Sequence, residues 1–135
     1  MANERIPAKG SKYYLPKETY LTVVHYCRQY PIWMQELNME FDARQGISYD
    51  RDRVQTSNNS DSTSSLGIKR AEVSRKKDML EHVAYETANG MAKWIILGCC
   101  FSMTYLQLKT YGIPCGKDLY YKLRRKFYYK ISERI

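Results

Sequence analysis

The chain has no glycine-rich phosphate loop, no G-x-S-x-G elbow and no H-E-x-x-H pair. Those absences exclude the enzyme classes built on such motifs. Histidine is scarce: His25 and His82 are the only two, and neither stands in a metal-binding spacing. Each reads as a surface or hydrogen-bonded side chain, with a carboxylate as the alternative partner for His25. No pair among Cys27, Cys99, Cys100 and Cys115 has the C-x-x-C spacing of a zinc site. Adjacent Cys99 and Cys100 suit a core more than a disulfide framework. The longest apolar run, near Trp94 to Phe101, is too short to cross a bilayer. The opening MANERIPAKGSK has no apolar signal core. The carboxylates are scattered among basic residues and read as ion-pair partners, not as an acid/base couple. The expectation is a cytoplasmic protein that is not an enzyme, with no cofactor, no metal and no membrane partner.

Positive charge and tyrosine are abundant. In 135 residues there are 22 Lys+Arg against 14 Asp+Glu, giving a net charge of +8. That imbalance points to an acidic partner, of which nucleic acid is the commonest. The 13 tyrosines suit packing with one wet edge, or stacking on bases; packing is the expected role. The length allows one small globular domain with tails, or two very small units.

The spacing of apolar residues predicts an all-α chain of about six helices with a mobile middle. Residues 1–12 read as a disordered basic arm. Tyr20, Val23, Val24 and Cys27 recur at helical spacing, so a helix is expected over 16–29. The residue before a proline avoids the helical region, so Tyr30 is expected to break it. A second helix then runs over 32–44, with Trp33, Met34, Leu37 and Phe41 on its apolar side. Residues 46–65 hold no large apolar side chain after Val54 and read as a flexible linker. The expected organisation is N-terminal helices over 1–45, a linker over 46–66 and a helical domain over 67–135. In that domain, a helix over 68–88 carries the stripe Val73, Met79, Leu80, Val83 and Ala84. Its basic residues Lys69, Arg70, Arg75, Lys76 and Lys77 read as a solvated face or an auxiliary contact to a DNA backbone. Asn89-Gly90 stops it, and a buried helix over 91–100 places Trp94, Ile95 and Leu97 in the core.

The end of the chain, 102–135, reads as a helix-turn-helix. A short helix over 103–111 has Ser102 as its N-cap and Leu106 and Leu108 as its apolar contacts. Gly112, Pro114 and Gly116 form the breaker cluster. Because Leu119 and Leu123 sit about one residue late, the turn is expected to be longer than in simple repressors. The last helix, 117–133, places Leu119, Tyr120, Leu123, Phe127 and Ile131 on its core side. From Lys117 to Lys130 it has six Lys/Arg and one acidic residue. Lys117, Tyr121, Lys122, Arg124, Arg125 and Lys126 are the candidate DNA contacts. Arginine pairs bidentately with guanine, and lysine serves phosphates as readily as bases.

Several short motifs then resemble the RinA/ArpU-like phage transcriptional regulators. They are Tyr14-Leu15-Pro16-Lys17, Arg28-Gln29-Tyr30-Pro31, the Ser/Thr-rich spacer, a helix containing Trp94, and Tyr121 followed by Arg124-Arg125-Lys126-Phe127 and Tyr129. Gly98-Cys99-Cys100 and the long Ser/Asn spacer depart from that pattern. The resemblance implies an activator of phage or mobile-element genes in a bacterial host. It also implies a C-terminal part like promoter-reading region 4 of sigma factors, double-stranded DNA as partner, and RNA polymerase as a second one. Two other readings stay open. One is a DNA-packaging component such as a small terminase subunit, a homo-oligomer in a ring. The other is a structural interaction protein whose basic helix meets an acidic partner.

Overall fold

A computed structural model describes residues 10, 12–39 and 64–135. These form six α-helices and no strand: α1 Lys17–Cys27, α2 Tyr30–Glu36, α3 Ser64–Thr87, α4 Ala92–Cys100, α5 Tyr105–Thr110 and α6 Lys117–Ser132. A 3-10 turn, Asn89–Met91, joins α3 to α4. The all-α expectation holds. The predicted basic arm lies outside the described residues except at 10 and 12. The linker lies outside them too, except that α3 already includes Ser64 and Ser65. No helix among the described residues is long and apolar enough to cross a membrane.

α3 is the central element, packed against α2, α4 and α6, while α1 lies on α4 and α6. The core draws on both sides of the undescribed segment: Tyr20, Val24 and Cys27 from α1 meet the same cluster as Leu80, Ile95 and Phe127. Each helix therefore buries its apolar stripe against a neighbour, which is where helix stability in a small protein mostly arises. Of the stripe expected on α3, Leu80, Val83 and Ala84 are buried; Val73 and Met79 are partly so.

The break between the first two helices differs from expectation. Tyr30 does not fall out of helix; it begins α2, and Pro31 occupies the second position. A proline in the first turn forfeits no hydrogen bond, because the first amides of a helix have no intrahelical acceptor. α2 also ends early, at Glu36. Asn38 takes a left-handed φ of 57°, the Asn38 amide donates to Gln35 O at 3.0 Å and the Met39 amide to Met34 O at 2.8 Å. That pair of bonds is the Schellman closure of a helix end. Residues 40–44, including Phe41, lie outside the described residues.

Lys77 is the largest departure. Its neighbours Arg75 and Lys76 are exposed, as are Lys69 and Arg70, but Lys77 is only 1% exposed. Its ammonium donates to Glu81 Oε1 at 3.1 Å and pairs with Asp78 Oδ1 at 3.1 Å. The other Glu81 oxygen accepts from the Tyr30 hydroxyl of α2. A charge taken out of water needs such partners. Lys77 is therefore part of the α2–α3 interface and is withdrawn from the auxiliary DNA contacts.

Candidate nucleic-acid interface

The C-terminal pair of helices is held by local chemistry at each joint. α5 is capped by Thr104, not by Ser102. The Gln107 amide donates to Thr104 Oγ1 at 3.2 Å, and the Thr104 amide donates to Gln107 Oε1 at 2.8 Å. This is a capping box, visible in the sequence as T-x-x-Q. Ser102 lies two residues earlier with a φ of 58°, where the chain leaves a widened last turn of α4: the Phe101 amide donates to Ile96 O, five residues back. α5 ends at Gly112, whose φ of 100° is the left-handed conformation expected for it. The Ile113 amide returns to Leu108 O at 3.1 Å, and both side chains are buried. The Tyr105 hydroxyl donates to Cys115 O at 2.8 Å, tying the start of α5 to the far side of the turn.

Two expected apolar contacts are exposed. Leu106 is 73% exposed while Leu108 is buried, since residues two apart on a helix face different sides. On α6, Leu119 is 47% exposed and Leu123 half-buried. The buried arc is instead Tyr120, Phe127, Tyr128 and Ile131. Tyr120, Phe127 and Ile131 belong to the expected stripe. With Tyr128 in place of Leu119 and Leu123, the centre of the arc shifts by about 50°, half a residue on a helix.

That rotation sorts the six candidate contacts into two groups. Lys122, exposed, and Arg125 and Lys126, half-buried, stand outside the groove. Lys117, Tyr121 and Arg124 turn toward a groove of about 740 Å³ between α5, α6 and the end of α4. Arg124 is half-buried beside that arc. Its guanidinium sits over the rings of Tyr121, at 5.6 Å, and Tyr128, at 5.2 Å. Burial works against that charge, but Tyr128, Cys99, Tyr20 and Tyr120 together hold its pKa above the ordinary arginine value. Arg124 is thus a half-buried cation held over two tyrosine rings at the groove.

The fold adds two cations that the helix pattern of α6 did not reveal. Arg28, at the end of α1, and Lys109, on α5, line the same groove. None of the described residues lining it is a carboxylate. At the far end of α6 a carboxylate stands among the cations. Glu86 of α3 lies 3.9 Å from the Lys130 ammonium and 3.7 Å from the Arg134 guanidinium. Cationic potential is therefore concentrated toward the N-terminal half of α6, where anions are also favoured by the helix dipole.

Tyr120 forms the groove floor. Its ring lies 5.6 Å from Tyr105 and 5.1 Å from Tyr121. Burial raises its phenol pKa, so it remains neutral. Burial likewise pushes the Cys99 thiol up to about 12, against the pull of Arg124, and raises Cys100 well above its usual range. Both thiols are core groups, as expected, and not nucleophiles. Tyr120 reaches the floor because residue 98 is glycine: a Cβ there would stand 1.8 Å from the Tyr120 hydroxyl oxygen and 3.0 Å from Cζ. Gly98→Ala gains about 1 kcal/mol of helix propensity but overpacks a ring only 1% exposed, costing about 1–3 kcal/mol. The expected net result is a lower urea midpoint and a changed Tyr120 environment in NMR spectra; a stabilised variant with an unmoved ring would contradict it.

Comparison with protein-family models, with curated proteins and with solved structures returns no match for this chain.

Proposed function

We propose that this chain is a sequence-specific, double-stranded-DNA-binding regulator of transcription that reads the duplex with α6. The observation that carries the reading is the layout of α6. One face is locked in the core through Tyr120, Phe127 and Ile131, while Lys117 and Lys122 are exposed and Arg125 half-buried on the remainder. A 16-residue helix introduced by a short capped helix and a tight turn is the arrangement that enters a major groove. The exposed Lys69, Arg70, Arg75 and Lys76 of α3 are the auxiliary backbone contacts. The resemblance to RinA/ArpU-like regulators supports activation of phage or mobile-element genes, with RNA polymerase as the second partner.

The test is titration of folded variants against a duplex selected from random sequence and against an unrelated duplex, at two salt concentrations. Arg125→Ala is expected to cost about 1–3 kcal/mol on the selected site only. Lys122→Ala weakens both duplexes equally and lowers the salt slope by about one unit. Unchanged binding by a Lys117/Lys122/Arg125 triple-alanine variant would remove α6 as the reader and move the contact to α3.

A further inference from the structure

We infer that the groove beside α6 is a nucleotide site, taking one phosphate-bearing base that the outer face of α6 does not contact. The inference rests on the nucleic-acid reading above and concerns a surface that shares Lys117 with it but not Lys122 or Arg125. A cavity of about 740 Å³ falls within the range of sites for small ligands, ~300–1,000 Å³. A duplex, whose major groove alone is ~12 Å wide, cannot enter it. A single nucleotide can, whether free or splayed from an unpaired strand.

The lining matches both halves of such a ligand. Arg28, Lys109 and Lys117 come from three different parts of the fold and line the groove, and none of the described lining residues is a carboxylate. They suit a phosphate at the start of α6, where the helix dipole adds to the attraction. Ser102 lines the same groove, and its hydroxyl suits a sugar; that of Thr104 is engaged in the α5 cap. Tyr105 and Tyr121 are half-buried, and each packs its ring against the buried Tyr120. Half-exposed rings of this kind stack on any base. Tyr105 is fixed by its hydrogen bond to Cys115 O, and Tyr121 carries the Arg124 guanidinium over its ring. The platform is therefore held in place before a ligand arrives, which lessens the ordering cost of binding. A site for inorganic phosphate alone has no use for these rings, and a site for an acidic peptide has no use for a stacking platform.

The experiment is calorimetric titration of the full chain with the four nucleoside 5′-monophosphates and a four-nucleotide single strand. Inorganic phosphate, unphosphorylated nucleosides and hexaglutamate serve as comparisons. The expected result is that at least one nucleotide or the strand binds at least about tenfold more tightly than every comparison. A strand much tighter than any monophosphate identifies an unpaired strand as the source; monophosphates as tight as the strand identify free nucleotide. Lys109→Ala and Lys117→Ala, both at exposed positions, are each expected to weaken binding about tenfold. Lys122→Ala with Arg125→Ala is expected to weaken duplex binding and leave nucleotide binding unchanged, which separates this site from the duplex reader. Binding by none of the nucleotide probes would overturn the inference. So would phosphate or hexaglutamate binding equal to that of the nucleotides, or nucleotide binding indifferent to both lysine variants.

Discussion

Glu81→Ala is expected to lower the stability of the folded chain by about 3–5 kcal/mol, the range for stranding one member of a buried ion pair. Lys77 keeps its ammonium at 1% exposure because Glu81, at 8%, stands one helical turn away. Without that carboxylate the remaining anion is Asp78, which is 52% exposed and weakened by solvent screening. The Tyr30 hydroxyl loses its Glu81 acceptor in the same step, so a second buried polar group is affected. The comparison that isolates the cause is the double variant Lys77→Met with Glu81→Leu. It removes both charges at similar volume but still leaves the Tyr30 hydroxyl without Glu81, so it is expected to cost less than Glu81→Ala. A double-mutant cycle by urea unfolding reads the interaction directly. If Glu81→Ala cost under about 1 kcal/mol, Lys77 would be reaching solvent by extending its stem, and its burial would count for little. Loss of duplex affinity beyond the unfolded fraction in a Lys77 variant would restore it as a DNA contact.

Phe127→Ala is expected to cost about 3–5 kcal/mol, for a different reason. The side chain is fully buried, at 0% exposure, on a helix that packs against α1, α3 and α4 together. Its ring stands 6.0 Å from that of Tyr128. Removing it loses the transfer free energy of the ring and leaves a cavity that three rigid helices cannot close. Against a total stability of about 5–15 kcal/mol for an ordinary domain, that is a large share. The measurement is the denaturant midpoint, with duplex titration on the fraction that remains folded. If α6 reads the duplex as proposed, folded Phe127→Ala protein is expected to keep that affinity, since Phe127 faces away from Lys122 and Arg125. Selective loss of DNA binding in fully folded protein would mean that the core face and the reading face of α6 are not separable.

These two residues mark the boundary between local and tertiary information. Phe127 was legible from the sequence. So were Ile131, Leu80, Val83, Ile95 and the left-handed Gly112, because each follows from a helical period or from the steric freedom of one residue type. The all-α class follows from the same local signals. Lys77 was not legible: nothing at its own position distinguishes it from Lys76, and its burial depends on Tyr30, 51 residues from Glu81 in the chain. The Thr104–Gln107 cap is legible as T-x-x-Q, a stronger capping signal than Ser102 offers.

The candidate site shows the same division. Sequence alone determined that α6 is basic and amphipathic, since its cations and its apolar residues lie within one helix. Only the tertiary structure decided which arc of that helix turns inward, because a helix has no preferred azimuth until its neighbours pack against it. A rotation of about half a residue turned Arg124 toward the groove and left Leu119 exposed. It also separated Lys117 and Tyr121 from Lys122 and Arg125. The groove exists only where α4, α5 and α6 meet, and its cations Arg28 and Lys109 come from elements that no spacing rule connects to α6. Periodicity along a chain reports the angle between residues on one helix; which charges from different helices share a surface is set by long-range packing.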